Sequence, residues 1–323
     1  MKGIYRPDLK SRFLNEYENE NTQQTYKYLF EKSYQYEKTF FEKDLSMFTL
    51  EQIEKFLTDI KPLTINVARS HGRIISAYTN WAITQDDIDV SVNPLKDIPT
   101  SFYNQFVDKS AKLFFTKDEI DDIEKDLVNA QDASILYMIF ETGVLGNDFS
   151  EMLNLKKQDV DFENNILHLE DDELGKRDVE VSTQCIKLIK DAINETEYHG
   201  RNGEGRRSKL VSNNYVIRAP FSKKTNLDRA DKHLIYRRIS TISDIFGYIY
   251  MSAKNIERSG MIYMAYNLLK EGKYTEITNE MLTEIGDKFR MKKSIVNGEK
   301  NYNFYLMRDY INLEIINDLY GNI

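Results

Sequence analysis

The chain has 323 residues, 41% hydrophobic and 12% aromatic, which is enough for two separate cores at roughly 150 residues per domain. One cysteine (Cys185) and four dispersed histidines exclude an internal disulfide and offer no clustered metal site, and nothing calls for a cofactor. No apolar run approaches the roughly 20 residues of a membrane-spanning helix, and the opening MKGIYRPDLK has no apolar leader core, so the expectation is a soluble cytoplasmic protein.

Read along the chain, most of it is helical. Thr49 and Gln52 have capping-box spacing ahead of a helix with Leu50, Ile53, Phe56, Leu57 and Ile60 on one face. A second amphipathic run spans Thr64 to Ala82, with Val67, Ile74, Ile75, Tyr78 and Trp81 inward. Asn93-Pro94 stops it and opens a weakly periodic connector, which sets the expected domains at 1–107 and 108–323. Thr116 and Glu119 again have capping-box spacing, for a helix to about Ala130. Another follows from Ala133 to Thr142, with Gly143 suited to its C-terminus. Strand signal is confined to the middle: Asp159 to Phe162, then Ile166 to Leu169 across a turn, then a third strand carrying Val179 and Val181. Helix resumes near Thr183 and runs to the end, where Tyr302 to Tyr320 reads as one helix with Leu306, Tyr310, Leu313 and Ile316 on one side. The fold class is mainly α with a small antiparallel β-sheet.

The net charge of −8 argues mildly against a nucleic-acid partner. Binding depends on where charge sits, however. From His199 to Arg238 eleven Lys and Arg face three acids, Glu204, Asp228 and Asp231. A solvated basic loop is the plainer reading of such a run.

Several segments together resemble the tyrosine recombinase (phage integrase) family over nearly the whole chain. LTINVARSHGRIISAYTNWA (63–82), followed by VNPLKDI (92–98), is similar to the end of that family's helical core-binding domain. LFFTKDEIDDIEKDL (113–127), TGVLGNDFSEMLNL (142–155) and LKKQDVDFENNILHL (155–169) are similar to the start of its catalytic-type domain. The family joins DNA strands through a tyrosine nucleophile. Its transition state gains negative charge, so cationic donors surround it. At the matching positions this chain has acids. Asp148 stands for the first Arg of T-G-x-R, Glu257 for the second Arg and Asp287 for a later His. Lys254 stands for the His of H-x-x-R, and Arg258 falls where a further His lies. Four acids, Glu170 to Glu173, occupy the turn of the family's Lys, with Lys176 and Arg177 just beyond it. Tyr305 is the best match to the nucleophile, among Tyr302, Tyr305 and Tyr310.

What the resemblance implies is a recombinase fold that grips duplex DNA and does not cut it. The expected function is a sequence-specific transcriptional repressor acting on operators of a prophage and holding lysogeny, not an enzyme. A divergent active recombinase and a recombination accessory protein are the alternatives. The expected DNA contacts are Arg69, Arg73, Arg206, Arg207, Lys223, Lys224, Arg237, Arg238, Lys254 and Arg258. A protein or peptide antagonist and the oligomeric state stay open.

Overall fold

The computed structural model describes residues 3–108, 111–223, 228–296 and 299–322. The chain forms two compact units, Met1–Ala111 and Lys112–Ile323. The first contains helices α1 (Pro7–Leu14), α2 (Glu20–Gln35), α3 (Leu50–Ile60) and α4 (Ile65–Ile83), and a 3₁₀ turn at Thr100–Phe106. The predicted capping box is present: the Thr49 hydroxyl accepts from the Gln52 N–H, and the Gln52 side chain accepts from the Thr49 N–H. Ile53, Phe56 and Leu57 of α3 pack with Ile74, Ile75 and Tyr78 of α4 and with Leu29 and Phe30 of α2 in one core. Each such side chain contributes about 1.5–3 kcal/mol on burial. Val67 departs from expectation and is 39% exposed; inward packing of α4 begins one residue later, at Ala68. The connector is also not a bare linker, because Tyr103 and Phe106 of the 3₁₀ turn join this core. Its charged interior, Lys10 paired with Glu37 and Asp44, leaves no trace in the periodicity.

In the second unit α5 (Lys117–Asp126) starts on the predicted capping box of Thr116 and Glu119. It leads to α6 (Ala130–Thr142), which is buried nearly all round and ends at Gly143 with φ 77°. A helix apolar on every side belongs at the centre of a domain. It packs closely on α10 (Ala253–Lys270), where a Cβ added to Gly260 would lie 1.6 Å from the Phe140 carbonyl oxygen. Only glycine permits this approach.

After α7 (Ser150–Asn154) comes the predicted antiparallel sheet, in the order β1 (Val160–Asp161), β2 (Ile166–Asp171), β3 (Gly175–Glu180). Leu167 pairs with Val179 and Leu169 with Arg177. Helix α8 (Thr183–Asn194) follows, then a hairpin with no counterpart among the predicted elements, β4 (Glu197–His199) with β5 (Arg207–Lys209). Helix α9 (Lys232–Phe246) precedes α10, and α11 (Asn279–Lys288) follows it. A second such hairpin, β6 (Ser294–Val296) with β7 (Glu299–Asn301), separates α11 from the C-terminal segment.

That segment is two helices, not one: α12 (Phe304–Arg308) and α13 (Leu313–Tyr320). The Asn312 side chain accepts from the Ile315 N–H and so starts a new helix within the predicted continuous one. Tyr310 and Ile316 are buried, whereas Leu306 and Leu313 are exposed. Helix α13 covers its own unit's core, with Tyr320 stacked on Tyr266 at 4.6 Å.

Candidate nucleic-acid interface

The loop after Gly143 is the densest piece of unusual backbone among the described residues. Val144, Gly146, Asp148 and Phe149 all have positive φ. Asp171, at the end of β2, holds the loop. Its carboxylate accepts from the N–H groups of Asn147, Glu173 and Leu174 and from the Ser150 hydroxyl. Burial pushes this carboxyl up, but the bond from Ser150 and the three backbone N–H bonds outweigh it and bring it down to about 2. A Cβ on Gly146 would lie 2.0 Å from the same carboxylate. So one of the four acids that the sequence resemblance matches to the family's lysine turn is a structural hub, with no sequence signal of its own.

Behind the loop lies a second carboxylate with two guanidinium partners. Glu151 is 1% exposed. Arg177 donates to it from Nε and Nη2, each at 2.7 Å, and Arg290 from Nη1 at 2.6 Å. Arg177 also donates to the carbonyls of Thr142 and Lys288, and Arg290 to those of Leu174 and Gly175. Strand alternation decides between the two sequence candidates here. Arg177 shares the inward face of β3 with Val179, while Lys176 points to solvent beside Glu170. Period 2 could have selected Arg177; nothing local marks Arg290.

The three acids that the sequence resemblance matches to the family's cationic positions all have partners. Asp148, on the exposed side of the loop, pairs with Lys232 at 2.6 Å. Glu257 is buried and pairs with Lys254, one helical turn earlier on α10. Burial raises the Glu257 carboxyl, against the pull of Lys254. Asp287 accepts from the Tyr302 hydroxyl at 2.6 Å and from Lys293 at 3.1 Å. Burial pushes Asp287 up, but those two bonds outweigh it and hold it below the usual range. Of the tyrosines considered, Tyr302 is therefore the one bonded to Asp287, whereas Tyr305 is 68% exposed on α12.

The basic segment divides into structural and exposed cations. Arg238, an expected DNA contact, is 2% exposed; it pairs with Asp132 and donates to the Arg218 carbonyl and to Gln131. The correction has a simple cause: adjacent helical residues lie about 100° apart, so α9 turns Arg237 outward and Arg238 inward. Arg218 is buried as well and donates to the carbonyls of Ala192, Ile193 and Glu195, which caps the C-terminus of α8. Arg229 is spent on Asp172 and Asn154.

Arg206 and Arg207 remain exposed on the β4–β5 hairpin, with Lys223 exposed nearby in sequence. Arg237 lines a cavity of about 590 Å³ with Arg201, Arg229 and Thr241. Lys224 lies outside the described residues. Arg258 is half-buried, with its guanidinium 4.9 Å from the centre of the Tyr310 ring. In the first unit, Arg69 and Arg73 line one groove along α4.

No helix of the described residues is long and apolar enough to cross a membrane, and no group of three or more His, Cys, Asp or Glu among them could hold a metal ion.

Comparison with known proteins matches residues 4–85 to the family model "MrpR, N-terminal core-binding domain" and residues 114–321 to "MrpR, C-terminal catalytic domain". The chain is 32% identical over 291 residues to the SPbeta prophage-derived uncharacterized protein YopR of Bacillus subtilis (strain 168), covering 88% of this chain and 87% of that one. Among solved structures it resembles the Tn1549 transposon integrase in complex with transposon right end DNA, at 14% identity and a TM-score of 0.50, over 94% of this chain and 93% of that one. The same integrase with a circular intermediate DNA also aligns, at 14% identity and a TM-score of 0.50, over 95% of each chain. At that identity the likeness is one of fold: a core-binding domain and a catalytic-type domain of the tyrosine recombinase kind.

Proposed function

The chain belongs to the MrpR family, and on that premise we propose that it is a sequence-specific duplex-DNA-binding repressor that has kept a recombinase fold and lost strand cleavage. Its job is to occupy operators of a prophage and maintain lysogeny, as expected of a master repressor of SPβ-like prophages. The prophage origin of the relative YopR and the DNA in the integrase complexes support this reading.

One observation carries it: carboxylates, Asp148, Glu257 and Asp287, stand at three positions matched to the family's cationic donors, both Arg positions among them, and each is held by partners of its own. A phosphodiester approaching Asp148, Glu257 and Asp287 meets like charge. Losing one preorganised donor typically costs a hundredfold or more in rate. Losing both Arg positions and adding repulsion leaves no route to a pentavalent transition state. Arg177 does not substitute, because its guanidinium is consumed by Glu151 and two carbonyls. Exposed cations on the hairpin, α9 and α4 remain to hold the DNA backbone.

The test combines gel-shift titration on regulatory DNA of the host element with incubation on a nicked suicide substrate. The expected result is a selective shift that weakens linearly in log–log form with salt, and no covalent adduct. An adduct abolished by Tyr302→Phe or Tyr305→Phe would instead establish a divergent recombinase. Co-purification with an integrase, without selective DNA binding, would establish an accessory protein.

A further inference from the structure

Helix α4 presents Arg69, Arg73, Ser76 and Asn80 along one groove of about 340 Å³. Successive spacings of four, three and four residues keep them on one face over about 16 Å of helix. Behind this face sits Asn93, which is buried and has only one amide orientation open to it. Its Oδ1 accepts from the Leu95 N–H at 2.9 Å, and its Nδ2 donates to the Ser76 carbonyl at 3.3 Å. A backbone N–H can only donate and a carbonyl only accept, so the amide cannot be turned round. The same Nδ2 donates to the Ser76 hydroxyl at 2.8 Å and to Asn80 Oδ1 at 2.9 Å. Asn80 is thereby turned with its acceptor inward and its two N–H donors on the exposed side. Ser76 accepts from Asn93 and keeps its own proton to give. With the guanidinium of Arg73, the face offers donors.

We propose that this donor face reads guanine in the major groove, with Asn80 as a specificity-determining residue and Asn93 as the residue that positions it. The proposal rests on the DNA-binding reading above and adds the base class. In the major groove guanine presents two neighbouring acceptors, N7 and O6. An Asn free to turn would instead grip adenine with both ends of its amide, giving to N7 and taking from N6. Asn93 removes that choice by occupying Asn80 Oδ1.

The experiment is selection of bound sites from a randomised duplex pool with the full chain, followed by titration of the selected duplex. The wild-type protein should select guanine at one or more fixed positions, and replacing that guanine by 7-deazaguanine should weaken binding about tenfold. Asn93→Asp keeps an acceptor for the Leu95 N–H and offers Asn80 an acceptor, which turns the Asn80 amide with Oδ1 outward. Its selected base should change to one that presents a donor, cytosine or adenine. Asn80→Asp places an acceptor on the exposed helix face without touching Asn93 and should make the same change, with loss of the 7-deazaguanine effect. Unchanged selected sites in Asn80→Asp, with wild-type binding still selective, overturn the proposal and leave the DNA-binding reading standing. If the wild-type protein selects no site, the DNA-binding reading fails, and this proposal with it.

Discussion

Glu151 shows how much one carboxylate can organise. Its Oε1 takes a hydrogen bond from each of Arg177 and Arg290, and its Oε2 takes a second from Arg177. The three side chains are largely withdrawn from water. Breaking a buried pair from one side leaves a charge without compensation and costs about 3–5 kcal/mol. Glu151→Gln should therefore lower the melting temperature of the second unit by roughly 10 °C, read by thermal unfolding. A shift within a degree of wild type would mean that the guanidiniums find water or other acceptors. The residue is legible only in part. Glu151, separated by seven residues from the Thr142-Gly143 pair, falls in the stretch that resembles the family's box, but Arg290 is 139 residues away and carries no local sign of the pairing.

At the scale of elements, the β4–β5 hairpin matters most for the proposed function. In the sequence it is only a basic stretch, since three-residue strands are too short for an alternation signal. The fold turns that stretch into an arm with Arg206 and Arg207 exposed, while Arg218 and Arg238 go inward as structural groups. The expectation follows directly. Arg206→Glu with Arg207→Glu should weaken binding to every DNA sequence alike and reduce the slope of log affinity against log salt by about 2, close to one for each phosphate no longer neutralised. Titration over a salt series reads both quantities. An unchanged slope would remove the hairpin from the interface. Arg238→Ala is a different kind of change, because it strips Asp132 of its ion pair, and its effect should appear in stability.

At the scale of the whole molecule, each unit has its own core. A fragment spanning 1–111 should accordingly unfold cooperatively by itself. His71, which is buried on α4 and has no hydrogen-bond partner on Nδ1, contributes an acid response of its own. Burial, with a smaller effect from Lys32, holds this imidazole down to about 4 from an ordinary 6.5. The unfolded chain then binds the proton more readily than the folded one. The His71 contribution to stability is full above pH 6.5 and is lost as the pH falls toward 4, by about 3 kcal/mol. Denaturant titrations of the fragment across that window should show the loss, and His71→Gln should flatten it. An equal pH slope in the variant would assign the acid response to other groups.

What the sequence determined by itself was local or periodic. Both capping boxes, the glycine end of α6, the three-stranded sheet and the order of recombinase-like boxes follow from residues within a few positions of one another. So does the expectation that Asp148, Glu257 and Asp287 stand where the family has cationic groups. Tertiary structure alone decided which charges are free to meet a ligand. The pairing of Asp148 with Lys232, the burial of Arg238 and the clamp on Glu151 each join elements far apart in the chain, and the hold of Asn93 on Asn80 folds the connector back on α4. The energy of an ion pair or hydrogen bond depends on distance and burial, and neither is encoded in spacing along the sequence.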